Sequence, residues 1–120
     1  MRVYYNHTDA GGVVYHSCYL TFCEQARSEV FFKNNIFFNK DEGYVVKELK
    51  ANYLKPAKLG DILTIKSKLL EIKNASLKLH QEIFRDNEKI FEMEVVLVYT
   101  KNGKITKIPK EHKKVIDEFR

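Results

Sequence analysis

The chain has 120 residues, 44% of them apolar and 31% charged, with 8 Phe, 7 Tyr, no Trp, 5 Gly and 2 Pro. That length makes one domain, residues 1–120, able to bury a core without staples, and the composition excludes disordered, collagen-like and low-complexity classes. A net charge of +5 favours anionic partners without choosing among them; with no RNP pattern and no zinc finger, nucleic acid is not an expected partner.

Residues 2–6 carry Val3, Tyr4 and Tyr5 in weak alternation and predict a short strand. Thr8-Asp9-Ala10-Gly11-Gly12 predicts a turn, the glycines being free to take positive φ. Helical spacing then sets in over residues 17–34. Tyr19, Phe22, Cys23, Ala26 and Val30 fall at i, i+3, i+4, i+7 and i+11, with Ser17 as N-cap and Asn34-Asn35 as stop. Phe31, Phe32, Ile36, Phe37 and Phe38 widen the apolar stripe, which predicts a deeply placed helix.

Strand signals follow. Residues 44–53 form one run, and residues 62–72 alternate, with Leu63, Ile65 and Leu69 on one face. After a turn at Lys73-Asn74-Ala75, residues 76–85 set Leu77, Leu79, Gln81 and Ile83 against Lys78, His80 and Glu82. Asp86-Asn87 turns into a strand in which Phe91, Met93, Val95, Leu97 and Tyr99 share a face opposite Ile90, Glu92 and Glu94. Asn102-Gly103 is a type I′ hairpin signal leading to a tail strand over residues 104–108. Pro109 opens a terminal helix that reaches Phe119 and buries Val115, Ile116 and Phe119. This order predicts an α+β fold: a curved antiparallel meander wrapped around one long helix. Its free edges and outer face call for oligomerisation.

No stretch is long and apolar enough to span a bilayer, and no apolar run follows Arg2 as in a signal peptide. The expectation is a cytoplasmic chain with no integral membrane segment. Cys18 and Cys23 suit a reducing compartment; five residues apart on a helix they lie about 140° apart and read as packing residues. His80 and His112 read as solvated surface groups, and Glu29 and Lys33 as a helical ion pair.

Asp9 is the residue where chemistry is expected. It is a carboxylate on a glycine-rich loop just before an apolar helix, whose first N–H groups lack intrahelical partners. With the helix dipole, those groups favour negative charge, including the oxyanion of a tetrahedral intermediate. An acid beside them can attack a bound carbonyl or activate water. The same residues also suit an ordinary helix cap and turn.

Val3-Tyr4-Tyr5-x-x-Thr8-Asp9-x-x-Gly12-Val13-Val14-Tyr15-His16-x-x-Tyr19-Leu20, with Glu24-x-Ala26-Arg27-x-Glu29 and Tyr53-x-x-Pro56-Ala57-x-x-Gly60-Asp61-x-Leu63, resembles the hydroxybenzoyl-CoA thioesterase family. Within that family it is most similar to the YbgC-type acyl-CoA thioesterases. The resemblance implies a hot-dog fold, a homodimer or homotetramer with sites at the subunit interface, and hydrolysis of acyl-CoA to a carboxylic acid and CoA, without metal or cofactor. It makes Asp9 the catalytic carboxylate and His16 a second catalytic position at the helix start, with Val13, Val14 and Tyr15 lining the acyl end. Lys73, Asn74 and Ser76 lie where relatives hold the phosphates of CoA. The branch usually carries two acids where this chain has Asn6 and His7, so the charge around Asp9 differs here. An acyl-carrier-protein thioesterase, or a non-catalytic module binding acyl chains or an envelope partner, are the alternative readings.

Overall fold

A computed structural model describes residues 1–120. In it helix α1 (His16–Phe32) precedes strands β1 (Glu42–Tyr53), β2 (Leu63–Ile72), β3 (Ser76–Arg85), β4 (Glu88–Lys101) and β5 (Lys104–Ile105), and helix α2 (Lys110–Ile116) closes the chain. All pairings are antiparallel, in the order β1-β4-β3-β2, with β5 hairpinned onto β4. The α+β class and the curved sheet against α1 are as expected. Only β2, β3 and β4 form a meander, however, because β1 joins the far side of β4.

Alternation decides which face is covered. Leu77, Leu79, Gln81 and Ile83 of β3 and Phe91, Met93, Val95, Leu97 and Tyr99 of β4 are buried on one face, against Tyr19, Phe22, Cys23 and Phe31 of α1. The opposite face carries Lys66, Lys68, Lys78, His80, Glu82, Glu92 and Glu94. Val115, Ile116 and Phe119 join the core as the sequence predicts. Coverage stops at β1: Val46, Leu49 and Tyr53, on its inner face, stay 47%, 42% and 42% exposed. The outer edge of this twelve-residue strand has no partner. No helix is long and apolar enough to cross a membrane.

Several boundaries differ from the sequence reading. The expected first strand is one isolated bridge, Arg2 to Ile62, followed by a 3-10 turn at Tyr5–His7. Helix α1 starts one residue early, with Tyr15 at the cap position and no side-chain cap, so Ser17 is not the N-cap. Its end is as predicted: Asn35 takes φ 62° and the Ile36 N–H returns to the Phe31 carbonyl at 3.0 Å, the six-to-one bond of a Schellman ending. The tail strand shortens to two residues: the Thr106 N–H still bonds the Tyr99 carbonyl, but by Ile108 the chain has left β4 and its N–H bonds the Asn74 carbonyl. Asn102 (φ 53°) and Gly103 (φ 77°) form the hairpin turn their types demand.

His112 is not a surface group. It is buried among Phe31, Phe38, Tyr44 and Tyr99, with its Nδ1 3.0 Å from the Tyr44 hydroxyl, and burial pushes its pKa below the ordinary imidazole value. Glu29 and Lys33 do not pair either; Lys33 reaches Glu118 at 3.4 Å. Both cysteines are free, and burial raises the Cys23 thiol to about 12, which makes it a packing residue.

Candidate active site

The stretch from Thr8 to Val14 is a tight loop closed on itself. Thr8 bridges Val14, the Asp9 N–H bonds the Val13 carbonyl at 2.9 Å, and the Gly12 N–H bonds the Asp9 carbonyl at 3.0 Å. Gly12 sits at φ 79°, which a side chain would strain. Asp9 Oδ1 accepts the Gly11 N–H at 2.8 Å, an Asx turn that fixes the carboxylate on an exposed loop. No cation pairs with it, so its other oxygen is free for a substrate or water.

The loop is anchored from below. The Val14 N–H bonds the Ala57 carbonyl at 2.9 Å, Val13 bridges Lys58, and the Ala57 N–H donates to the buried Tyr19 hydroxyl at 2.8 Å. Arg85 in turn fastens this second loop. Its guanidinium donates to the Pro56 carbonyl at 3.0 Å, to Asp61 at 2.9 Å and to Glu88 at 2.9 Å. Partial burial acts to raise the Asp61 carboxyl, but the Lys58 N–H and the Arg85 guanidinium outweigh it and hold it below the usual carboxylate range.

At the start of α1 the Tyr15 N–H is taken by the His7 carbonyl and the Cys18 N–H by the Tyr15 carbonyl, both at 3.0 Å. The N–H groups of His16 and Ser17 have no acceptor. The imidazole of His16 is exposed and lies against Tyr53, centroids 4.5 Å apart, while the Tyr53 hydroxyl donates to the His16 carbonyl at 3.0 Å. A cleft of about 240 Å³ opens here, lined by Val13, Val14, His16, Tyr19, Tyr53 and the segment 54–56. It offers an apolar wall next to unpaired backbone donors, a suitable place for a carbonyl group.

Of the expected residues, His16, Val13 and Val14 line this cleft; Asp9 and Tyr15 do not, though the same loop carries both. Tyr53 is the cleft residue that single-residue reasoning passes over, and its only signal is its place three residues before Pro56. His7 is held in place locally: its Nδ1 accepts the Tyr4 N–H at 3.0 Å and its ring packs edge-on against Phe22. Lys73, Asn74 and Ser76 sit at the opposite end of the sheet, at the turn joining β2 and β3, separated from the Arg85 end by roughly 30 Å of strand. There a shallow depression of about 290 Å³ carries Lys47, Lys73, Ser76 and Lys78, with Glu48 and Glu71 beside them.

One grouping has metal-ligand types: His80 Nε2 lies 3.9 Å from Glu82 and 3.6 Å from Glu92 on the outer face. The Lys89 ammonium already bridges both carboxylates at 3.2 Å each. It is a cross-strand charge ladder, and His80 is a half-buried member of it rather than a solvated side chain.

The Thioesterase superfamily model matches residues 11–92. The chain belongs to that superfamily. It is 46% identical over 84 residues to the acyl-CoA thioesterase YbgC of Helicobacter pylori, a match covering 69% of this chain and 63% of that protein. It is 36% identical over 120 residues to the YbgC acyl-CoA thioesterase of Haemophilus influenzae, covering 94% and 88%. Among solved structures, a probable thioesterase from Bartonella henselae superposes with a TM-score of 0.83 at 30% identity, over 92% of this chain and 94% of that one. The sheet curved around α1 is the hot-dog fold of these thioesterases.

Proposed function

We propose that the chain is an acyl-CoA thioesterase that works as a homodimer or homotetramer in the cytoplasm, with Asp9 as its catalytic carboxylate. The observation that carries this is the free oxygen of Asp9 on a rigid loop leading directly into two unpaired N–H groups at the start of α1. The thioester carbonyl oxygen accepts from the His16 and Ser17 N–H groups, which gain strength as it becomes an oxyanion. Asp9 either takes a proton from water as the water oxygen bonds the carbonyl carbon, or itself attacks to give a mixed anhydride that water then opens. On either route the carbon–sulfur bond breaks, the CoA thiolate leaves and is protonated, and the acid remains. His16 acts mainly through its backbone N–H, with its ring against Tyr53 closing the cleft.

The exposed edge of β1 supports the oligomer. A two-fold axis pairing β1 with its own copy sets the Tyr53 end of one strand beside the Glu42 end of the other. Lys73, Asn74 and Ser76 of the partner subunit then come to the same end as Asp9, where they hold the phosphates of CoA.

Asp9→Asn tests the reading. Asparagine keeps the Asx turn and the shape, so the melting temperature should stay close to wild type, while kcat on acyl-CoA falls at least ~10²-fold with KM little changed. Full activity in a normally folded Asp9→Asn protein would remove Asp9 from catalysis. A wild-type protein inert on acyl-CoA but active on acyl carrier protein would shift the substrate class, and one inert on both would make it a binding module.

A further inference from the structure

The two free donors at the start of α1 belong to a helix end that no side chain caps, Tyr15 holding the cap position. A Ser, Thr, Asp or Asn there would set its oxygen on the N–H of Ser17 or Cys18, and so compete for the donors that an oxyanion needs. The first turn is fastened from the carbonyl side instead. Tyr53, the last residue of β1, donates its hydroxyl to the His16 carbonyl at 3.0 Å. That carbonyl and the Ser17 N–H are the two ends of one planar peptide unit, so holding the oxygen also holds the direction of the N–H. A bond donated to the carbonyl polarises the amide as well, strengthening the N–H at its other end by roughly 10–30%. The phenol ring is itself pinned. It lies 4.5 Å from the His16 ring, meets Tyr19 edge-on at 5.3 Å and packs on Phe91, its partner across β1 and β4, at 5.0 Å. Burial raises the Tyr53 hydroxyl above the ordinary tyrosine value, and Tyr19 and Cys23 push the same way, so it stays protonated and donating at neutral pH.

We propose that Tyr53 is a positioning residue for thioester hydrolysis: through the His16 carbonyl it aims and strengthens the Ser17 N–H that receives the oxyanion. Tyr53 has this role only if the hydrolase reading holds, since that reading supplies the oxyanion. The residue itself touches no reacting atom. Its effect falls on the transition state, because a hydrogen bond to a charged acceptor is roughly twice as strong as one to a neutral carbonyl. Loss of the hydroxyl therefore lowers kcat and leaves KM nearly unchanged. Removing an oxyanion donor outright costs ~10²–10³-fold in kcat; here the donor remains, less well aimed, and the loss is about ten-fold. A side chain that only stiffened the fold would lower the melting temperature and leave the kcat of folded protein alone.

Tyr53→Phe deletes the hydroxyl and keeps the ring. Its kcat on acyl-CoA should fall about ten-fold, with KM, melting temperature and oligomer mass as in wild type. In the free protein the resonances of the His16 carbonyl carbon and the Ser17 nitrogen should both shift, because their shared peptide unit loses its donor. Fluorotyrosine introduced at position 53 is a stronger phenol donor and should restore kcat to the wild-type value or above at neutral pH. Full kcat in Tyr53→Phe, unmoved Ser17 resonances, or a loss that the fluorinated phenol does not restore would each overturn the proposal and leave the hydrolase reading standing. So would a kcat loss accompanied by a lower melting temperature or a smaller oligomer, which would make the hydroxyl structural. Failure of the hydrolase reading looks different: the wild type would be inert on acyl-CoA, or Asp9→Asn would remain fully active, and both are assayed alongside. Inert wild-type protein would overturn the role of Tyr53 with it, whereas an active Asp9→Asn protein in which Tyr53→Phe still lowers kcat would uphold Tyr53 and remove only Asp9.

Discussion

Gln81 is the one polar side chain in the core with no exposed surface, and replacing it with leucine probes how α1 is held to the sheet. Its amide joins three elements: the Cys23 carbonyl and Arg27 guanidinium on α1, and the Ser67 hydroxyl on β2. Leucine fills a similar volume but makes none of these bonds. Each hydrogen bond contributes about 1 kcal/mol net, and the bond to a charged guanidinium more, while the abandoned partners remain in place. The added apolar burial offsets part of this, leaving a cost of about 2–3 kcal/mol. For a chain of 120 residues the unfolding entropy is roughly 0.25 kcal/mol/K, so the melting temperature should fall by about 8–12 °C. Thermal denaturation gives the shift, and urea unfolding should show a lower midpoint with an unchanged slope. A Gln81→Leu protein that melts within a degree of wild type, or above it, would refute the idea that this amide pins the helix.

His112 is held below the ordinary imidazole value by burial, so the folded state gains nothing above pH ~6.5 and loses stability as pH falls from there toward the folded pKa, because the unfolded chain takes up the proton first. His112→Phe should flatten this part of the melting-temperature profile between pH 7.5 and 5, and a slope identical to wild type would exclude His112 as its source. Leu49→Lys, on the uncovered inner face of β1, should shift the oligomer toward monomer in light scattering while the monomer stays folded; an unchanged mass would place the interface elsewhere.

What could be read in the sequence was what depends on near neighbours. Alternation located β2, β3 and β4, and the types at Asn102 and Gly103 fixed their hairpin, because both are properties of a few consecutive residues. The loop at Asp9 was legible for the same reason. What stayed hidden depends on residues far apart in the chain. His112 lies in a lysine-rich segment that reads as surface, and only the docking of α2 on Tyr44 and Tyr99 buries it. Residues 2–6 have strand-like types, yet the chain leaves the edge of β2 after one bridge to make the 3-10 turn that places His7 on Phe22. Arg27 and Gln81 carry no local signal for each other, and nothing at Tyr53 announces His16. The loop motif was visible; the supports beneath it were not.

The position of β1 also sets a timetable for folding. β3 finds β2 and β4 across short turns, so those contacts close quickly. β1 precedes both in the chain but must wait for β4, pairing Tyr53 with Phe91 and Glu42 with Lys101 across a much longer loop. Until β4 emerges from the ribosome, Val45, Val46 and Leu49 are therefore an unpartnered apolar strand on a nascent chain, the kind of segment that aggregates or recruits a chaperone. The charged residues among them, Lys47, Glu48 and Lys50, act as gatekeepers during that interval.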